Sequence, residues 1–209
     1  VVELLPGFAL GDAATTARVR VEHLVCACTG LPRQDYEWLM EFRDASADST
    51  LATLAQMQPT SGFGELYQYS NPLASAAGYV GGHVFAPGME KGAAYDRAMQ
   101  ELVFDPLGMT RTTFDAHQAQ AGNHARPHAL DIDGNNVVTG MDVNYAIRPM
   151  RPAGGAWSSV NDMLRYVRLE LDRGRLPDGS RLVSEAVIDE RRKPKVALGN
   201  EGAYGMGLI

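Results

Sequence analysis

"YQYSNP", residues 67–72, lies between a glycine-rich approach, "SGFGE" at 61–65, and an alanine-rich apolar run, "LASAAGYV" at 73–80. A Tyr, a Ser and an Asn occupy consecutive positions where a loop turns into a helix. Two readings are open here. In the first, Tyr69 is an aromatic anchor and Asn71 a helix N-cap with Pro72 at the first helical position. In the second, Tyr69 and Asn71 present a phenol and a carboxamide to a reaction. Either way, Leu73, Ala76, Ala77, Val80 and Val84 recur at helical spacing, which predicts a helix over 71–84 with one apolar face.

Working outward, the pattern is helical almost everywhere. Val21, Leu24, Val25 and Cys28 follow the spacing of a half-buried helix that Gly30 and Pro32 stop. Further helices are expected over 34–43, over 49–57 with Leu51 and Leu54 on one face, and over about 93–104. Residues 115–155 read as irregular, with a hairpin signal at Asp133-Gly134. Ser159 and Asp162 read as a capping box opening a helix to about 172. "LPDGSRL" is a tight turn, and a short helix follows Ser184. "AYGMGLI" at 203–209 reads as the start of a strand. The fold class expected is mainly α (α+β): one helix-rich lobe over 1–209 with small hairpins.

The composition narrows the function. The formal charge is −6, and the longest basic run is "RRKPK" at 191–195. That excludes a concentrated phosphate-binding face, so nucleic acid is not an expected partner. No apolar stretch reaches the 18 or so residues of a membrane span. Cys26 and Cys28, two apart on the expected helix, would point to different sides and could not bridge. They are therefore expected to be unpaired, small buried apolar residues.

Chemistry-bearing motifs are sparse. No Ser is followed three residues later by Lys, and no Gly-x-Ser-x-Gly elbow, His-Glu-x-x-His or glycine-rich phosphate loop occurs. The five histidines form no metal spacing, and "DIDGNN" at 131–136 lacks the Gly and Glu that a calcium loop requires. His23 is expected to make a structural hydrogen bond. No metal site and no cofactor are implied, and no nucleophile in this chain has its base in place.

Five stretches nevertheless carry a resemblance in the right order. "VRVEHLVCACTGLP" at 19–32 is similar to the segment that introduces the helical lobe of class C β-lactamases and their penicillin-binding and esterase relatives. "YSN" at 69–71 resembles that superfamily's Tyr-x-Asn motif. "VFDPLGMTRTTF" at 103–114, "PAGGAWSSVNDMLRYV" at 152–167 and "YGMGL" at 204–208 resemble three further landmarks. There are departures. Phe63 stands where Pro is usual, Arg20 replaces a capping Thr, Pro72-Leu73-Ala74 follows the Asn, and Gly154 replaces a substrate-flanking Tyr. The last favours a relative over a β-lactamase proper.

The resemblance implies the helical lobe and flanking segments of the serine β-lactamase/transpeptidase-like fold. It also implies a larger two-lobed protein, whose Ser-x-x-Lys nucleophile segment would precede residue 1 and whose third motif would follow residue 209. Such a protein would be a serine hydrolase acting through an acyl-enzyme on an ester, amide or β-lactam, on a small-molecule or peptidoglycan-like substrate. The chain alone would then be catalytically incomplete. Tyr69 would take or relay the proton, Asn71 would hold the substrate amide, and Gln34 would contact substrate. Ser70 would be a spacer, and Trp38 and Trp157 core or rim aromatics. The rival readings are a non-catalytic binding or scaffold module of the same fold and an unrelated helical interaction domain. Neither compartment nor oligomeric state is specified by the sequence.

Overall fold

The computed structural model describes residues 1–40, 42–200 and 202–209, with the side chains of Glu37, Trp38, Phe42 and Val143 outside the description. Eleven helices among these residues are α1 (Ala13–Arg18), α2 (Val21–Leu24), α3 (Tyr36–Met40), α4 (Ala47–Leu54), α5 (Asn71–Phe85), α6 (Lys91–Met99), α7 (Asp105–Leu107), α8 (Ala116–Gln120), α9 (Asp142–Tyr145), α10 (Val160–Leu171) and α11 (Glu185–Arg192). Two antiparallel two-stranded pairs complete the set. β1 (His128–Leu130) pairs with β2 (Asn136–Val138), and β3 (Val196–Ala197) with β4 (Ala203–Tyr204). The architecture is mainly α with small hairpins, as expected.

α5 is the central element. Leu73, Ala76 and Val80 are buried in the main apolar cluster beside Leu24, Leu31 and Leu54. A second side of the same helix is buried as well. The Ser75 hydroxyl donates to the Met150 carbonyl at 3.0 Å and the Tyr79 hydroxyl to the Pro149 carbonyl at 2.5 Å. Burial pushes the Tyr79 phenol well above its ordinary pKa. On this side small residues are required, because a Cβ on Gly82 would collide with the Tyr95 backbone of α6. Val84, expected on the apolar face, is 54% exposed where the helix runs out of the core.

Several expectations are corrected. The helix read over 21–28 ends at Leu24, because Ala27 takes a left-handed conformation (φ 54°) that no helix tolerates. That turn brings Cys26 and Cys28 together as a disulfide across a Cα–Cα separation of 5.2 Å, so they are not unpaired as the helical reading required. Ser70, not Asn71, is the N-cap residue of α5, extended at φ −141°, and its side chain makes no cap bond. Asn71 opens the helix and commits its side chain elsewhere. The helix expected over 93–104 starts at Lys91, where the Glu90 carboxylate accepts from the Gly92 and Ala93 amides. It then passes through a π-helical stretch, Gln100–Phe104, into α7, which Gly108 ends in a left-handed conformation (φ 64°).

The segment read as 34–43 is α3 followed by a 3₁₀ turn, Phe42–Asp44, with Glu41 outside the described residues. The segment read as 49–57 is α4, beginning two residues earlier under a Ser46 cap. The supposedly irregular 115–155 stretch holds α8, the expected hairpin, α9 and a 3₁₀ segment, Arg148–Ala153, that roofs α5. Asp162 was expected to cap α10 and does something else. Ser159 does accept from the Asp162 amide at 3.3 Å. The Asp162 carboxylate, however, is 1% exposed and accepts from the Arg111 amide (2.8 Å), the Thr112 hydroxyl (2.9 Å) and Arg165 (2.7 Å). This knot ties the "PLGMTRTTF" landmark to the start of α10.

Candidate active site

Three distant parts of the chain meet at one corner. The loop over 60–68 lies along residues 27–30 through backbone bonds from Thr60 to Gly30 (2.8 Å), Gly64 to Cys28 (2.7 Å) and Gln68 to Ala27 (2.8 Å). Gly30 is obligatory here. Its φ is 81°, and a Cβ would strike the Ser61 carbonyl. Phe63, one of the departures noted above, anchors the loop by packing edge-on to His23 at 4.8 Å with the Arg18 guanidinium 4.9 Å from its ring. His23 makes the structural hydrogen bond expected of it, accepting the Arg20 amide at Nδ1 (3.1 Å). Burial, reinforced by Arg20, holds its imidazole below the ordinary range, which suits a neutral acceptor.

This loop delivers Tyr69, Ser70 and Asn71 against the segment Arg33–Asp35. The Arg33 guanidinium lies 5.4 Å from the Tyr69 ring, and the Asn71 carboxamide nitrogen donates to Asp35 Oδ1 at 3.2 Å. Arg33 and Asp35 are themselves ion-paired. Gln34 sits between them with φ 46°, a left-handed backbone that is uncommon outside glycine, asparagine and aspartate. Tyr69, Asn71 and Gln34 are thus neighbours through one short segment, Tyr69 half-buried and Asn71 buried.

The polar groups of the corner are incompletely satisfied. The Tyr69 hydroxyl has no hydrogen-bond partner among the described residues, and the buried Ser70 Oγ has none either. Ser70 therefore has no base beside it. A small cavity of about 20 Å³ lies here, bounded by Leu24, Tyr69, Ser70, Leu73 and Tyr204 among others. Tyr204, from the strand β4, also packs edge-on to Tyr67 at 5.2 Å, and burial pushes its phenol upward. The first, second and last of the five sequence landmarks converge on this cavity.

Arg33, Asp35 and Tyr204 were not singled out from sequence. Only the opposite charges flanking Gln34 hinted at the first two. Trp157 is half-buried and pairs its backbone with Thr113 (2.8 and 2.9 Å), a rim position rather than a place in the corner, while the Trp38 side chain lies outside the described residues. No group of three or more His, Cys, Asp or Glu among the described residues stands close enough to hold a metal ion.

The beta-lactamase family profile matches residues 1–209, and the chain belongs to that family. It is 26% identical over 194 residues to penicillin-binding protein 4 of Amycolatopsis lactamdurans, a match covering 89% of this chain and 47% of that protein. Among solved structures, an octameric penicillin-binding protein homologue from Pyrococcus abyssi superposes with a TM-score of 0.77 at 22% identity, over 99% of this chain and 46% of that one. A D-stereospecific amidohydrolase from Streptomyces superposes with a TM-score of 0.70 at 18% identity, over 99% and 61%. At these identities the structural likeness is one of fold. The chain spans about half the length of that Amycolatopsis protein, 47%. Among the described residues no helix is long and apolar enough to cross a membrane.

Proposed function

We propose that these 209 residues form the helical lobe of a two-lobed serine hydrolase of the β-lactamase/penicillin-binding type. Its nucleophile and third motif are carried by segments beyond this chain. The reaction class is acyl transfer to water through an acyl-enzyme, with an ester, amide or β-lactam as substrate. A serine hydroxyl is a poor nucleophile at neutral pH and needs a base. In this reading Tyr69 supplies the proton-transfer group, Asn71 holds the substrate amide, and Gln34 touches substrate at the rim.

A single observation carries the assignment. The phenol of Tyr69 is half-buried, held by the Arg33 cation, and left without a hydrogen-bond partner among the described residues. That hydroxyl keeps solvent access, open to a proton-transfer partner, whereas a purely structural tyrosine would bury it and bond it to the backbone. The names of the relatives, a penicillin-binding protein and an amidohydrolase, support the substrate class.

The test uses the full-length parent with a fluorescent penicillin and a short-chain nitrophenyl ester. Tyr69→Phe should cut turnover by roughly 10²–10⁴, the usual scale of general acid–base catalysis. Unchanged turnover would remove Tyr69 from the mechanism. The 209-residue chain on its own should form no covalent adduct with penicillin or phosphonate probes. A stoichiometric adduct on one of its serines, located by mass spectrometry, would overturn the incomplete-lobe reading.

A further inference from the structure

On another part of the lobe, a cavity of about 440 Å³ opens between α7, α10 and the turn that follows α10. Its walls are fixed independently of one another. Gly108, in its left-handed conformation, turns its carbonyl to accept Arg165 Nη1 at 2.8 Å, which fixes the end of α7 against α10. The turn over 176–180 is closed by backbone bonds from Leu176 to Ser180 (2.8 Å) and Gly179 to Leu176 (2.9 Å), and Asp178 accepts both the amide and the hydroxyl of Ser180. Leu107, Leu169 and Leu176 give the cavity apolar surface, Leu169 being buried.

The charge at its mouth is unusual for this chain. Arg165, Arg168 and Arg175 all line the cavity against one acid, Asp105, although the protein as a whole carries −6. Arg165 is neutralised by Asp162 (2.7 Å), and Arg168 is shared with Asp172 at 3.2 Å where both are well exposed. Arg175 has no carboxylate partner among the described residues, its guanidinium reaching only the Gly179 carbonyl at 3.3 Å. The Asp105 carboxylate accepts from Gln100 at 2.5 Å.

We propose that this cavity is a second binding site, for a small organic anion with an apolar body. The anionic group would sit between Arg168 and Arg175, and the hydrocarbon against Leu107, Leu169 and Leu176. Guanidinium groups bind carboxylates and phosphates through paired, charge-assisted hydrogen bonds. The leucine walls make a bare inorganic ion a poorer fit than one with a short chain. The site is built from residues that take no part in the corner holding Tyr69, so it stands whether or not the catalytic reading does.

Calorimetric titration of the 209-residue chain with hexanoate, hexan-1-ol and inorganic phosphate tests it. Hexanoate should bind saturably with one-to-one stoichiometry, about tenfold or more tighter than either probe that lacks one half of the chemistry. Raising the salt concentration should weaken it. The double variant Arg168→Gln/Arg175→Gln should lose about tenfold or more in affinity, with Arg126→Gln, an exposed arginine outside the cavity lining, as an unaffected control. Asp105→Asn should tighten binding, and this keeps the test sharp if the double variant fails to fold. No saturable binding, equal binding of hexanoate and hexan-1-ol, or binding that none of the cavity substitutions alters would each overturn the proposal.

Discussion

Two polar clusters of this lobe are built in opposite ways. Around Asp162, each carboxylate oxygen has a partner, and two remote landmarks are locked by a backbone amide, a hydroxyl and a guanidinium. Around Tyr69, two hydroxyls in consecutive residues have none among the described residues, although one is buried and the other half-buried. Buried polar groups are usually paired because an unpaired one costs about 1–3 kcal/mol. The Asp162 knot obeys that rule and reads as architecture. The Tyr69 corner breaks it at Ser70, while the half-buried Tyr69 keeps its hydroxyl open to solvent.

The contrast can be broken most sharply at its satisfied end. Asp162→Ala removes the acceptor of the Arg111 amide, leaves the Thr112 hydroxyl with Ser158 alone, and leaves Arg165 without its carboxylate. It should destabilise the chain by about 1–3 kcal/mol in denaturant unfolding, since the Arg165 left behind is half exposed. A loss below about 1 kcal/mol would mean the knot is decorative. Ser70→Ala should go the other way, because it deletes a buried hydroxyl that bonds to nothing. A gain of about 1 kcal/mol is expected in the 209-residue chain, and a loss of that size would show that the hydroxyl is satisfied after all.

A third, surface-level tie gives an intermediate case. Lys195 bridges Glu22 of α2 (2.8 Å) and Glu190 of α11 (2.9 Å), and Lys193 also pairs with Glu190. These lysines hold the Glu190 carboxyl down at about 2, against 4.5 for the free group. A depressed folded-state pKa contributes stability that is complete above about 4.5 and disappears as pH falls towards about 2. Thermal melts should therefore lose stability across that window in the parent chain and lose less in Lys195→Met. Parallel curves would dismiss the tie. The smallest expected effect is that of Tyr69→Phe on folding, within about 0.5 kcal/mol, since its hydroxyl bonds to nothing among the described residues. A large loss would make Tyr69 an anchor and undo the comparison.

Sequence legibility followed periodicity. α5, α10, α11 and the Asp133-Gly134 hairpin were readable because an apolar stripe, a capping serine or a turn dipeptide marks each. α2 was overread. Val25 and Cys28 continue the helical spacing, but the left-handed Ala27 is set by the loop that hydrogen-bonds alongside it, a tertiary effect no local pattern encodes. The disulfide was missed for the same reason. Asp162 was legible as a cap and not as a knot, because its partners lie some fifty residues away. At the corner, Tyr69 and Asn71 were found through the resemblance, whereas their contacts with Arg33 and Asp35 depend on loop geometry with no period at all.

The hairpin of β1 and β2 has a different kind of consequence. All six strand residues are exposed, and Ile132 beside the turn is fully so. Its turn holds itself together through the Asp131 carboxylate, which accepts from the amides of Asp133 and Asn135. Since all its strand residues are exposed, this arm is the natural point of entry for a protease and a natural place to splice in a reporter peptide. Cleavage there should leave two pieces that stay associated, because the core around α5 closes without it.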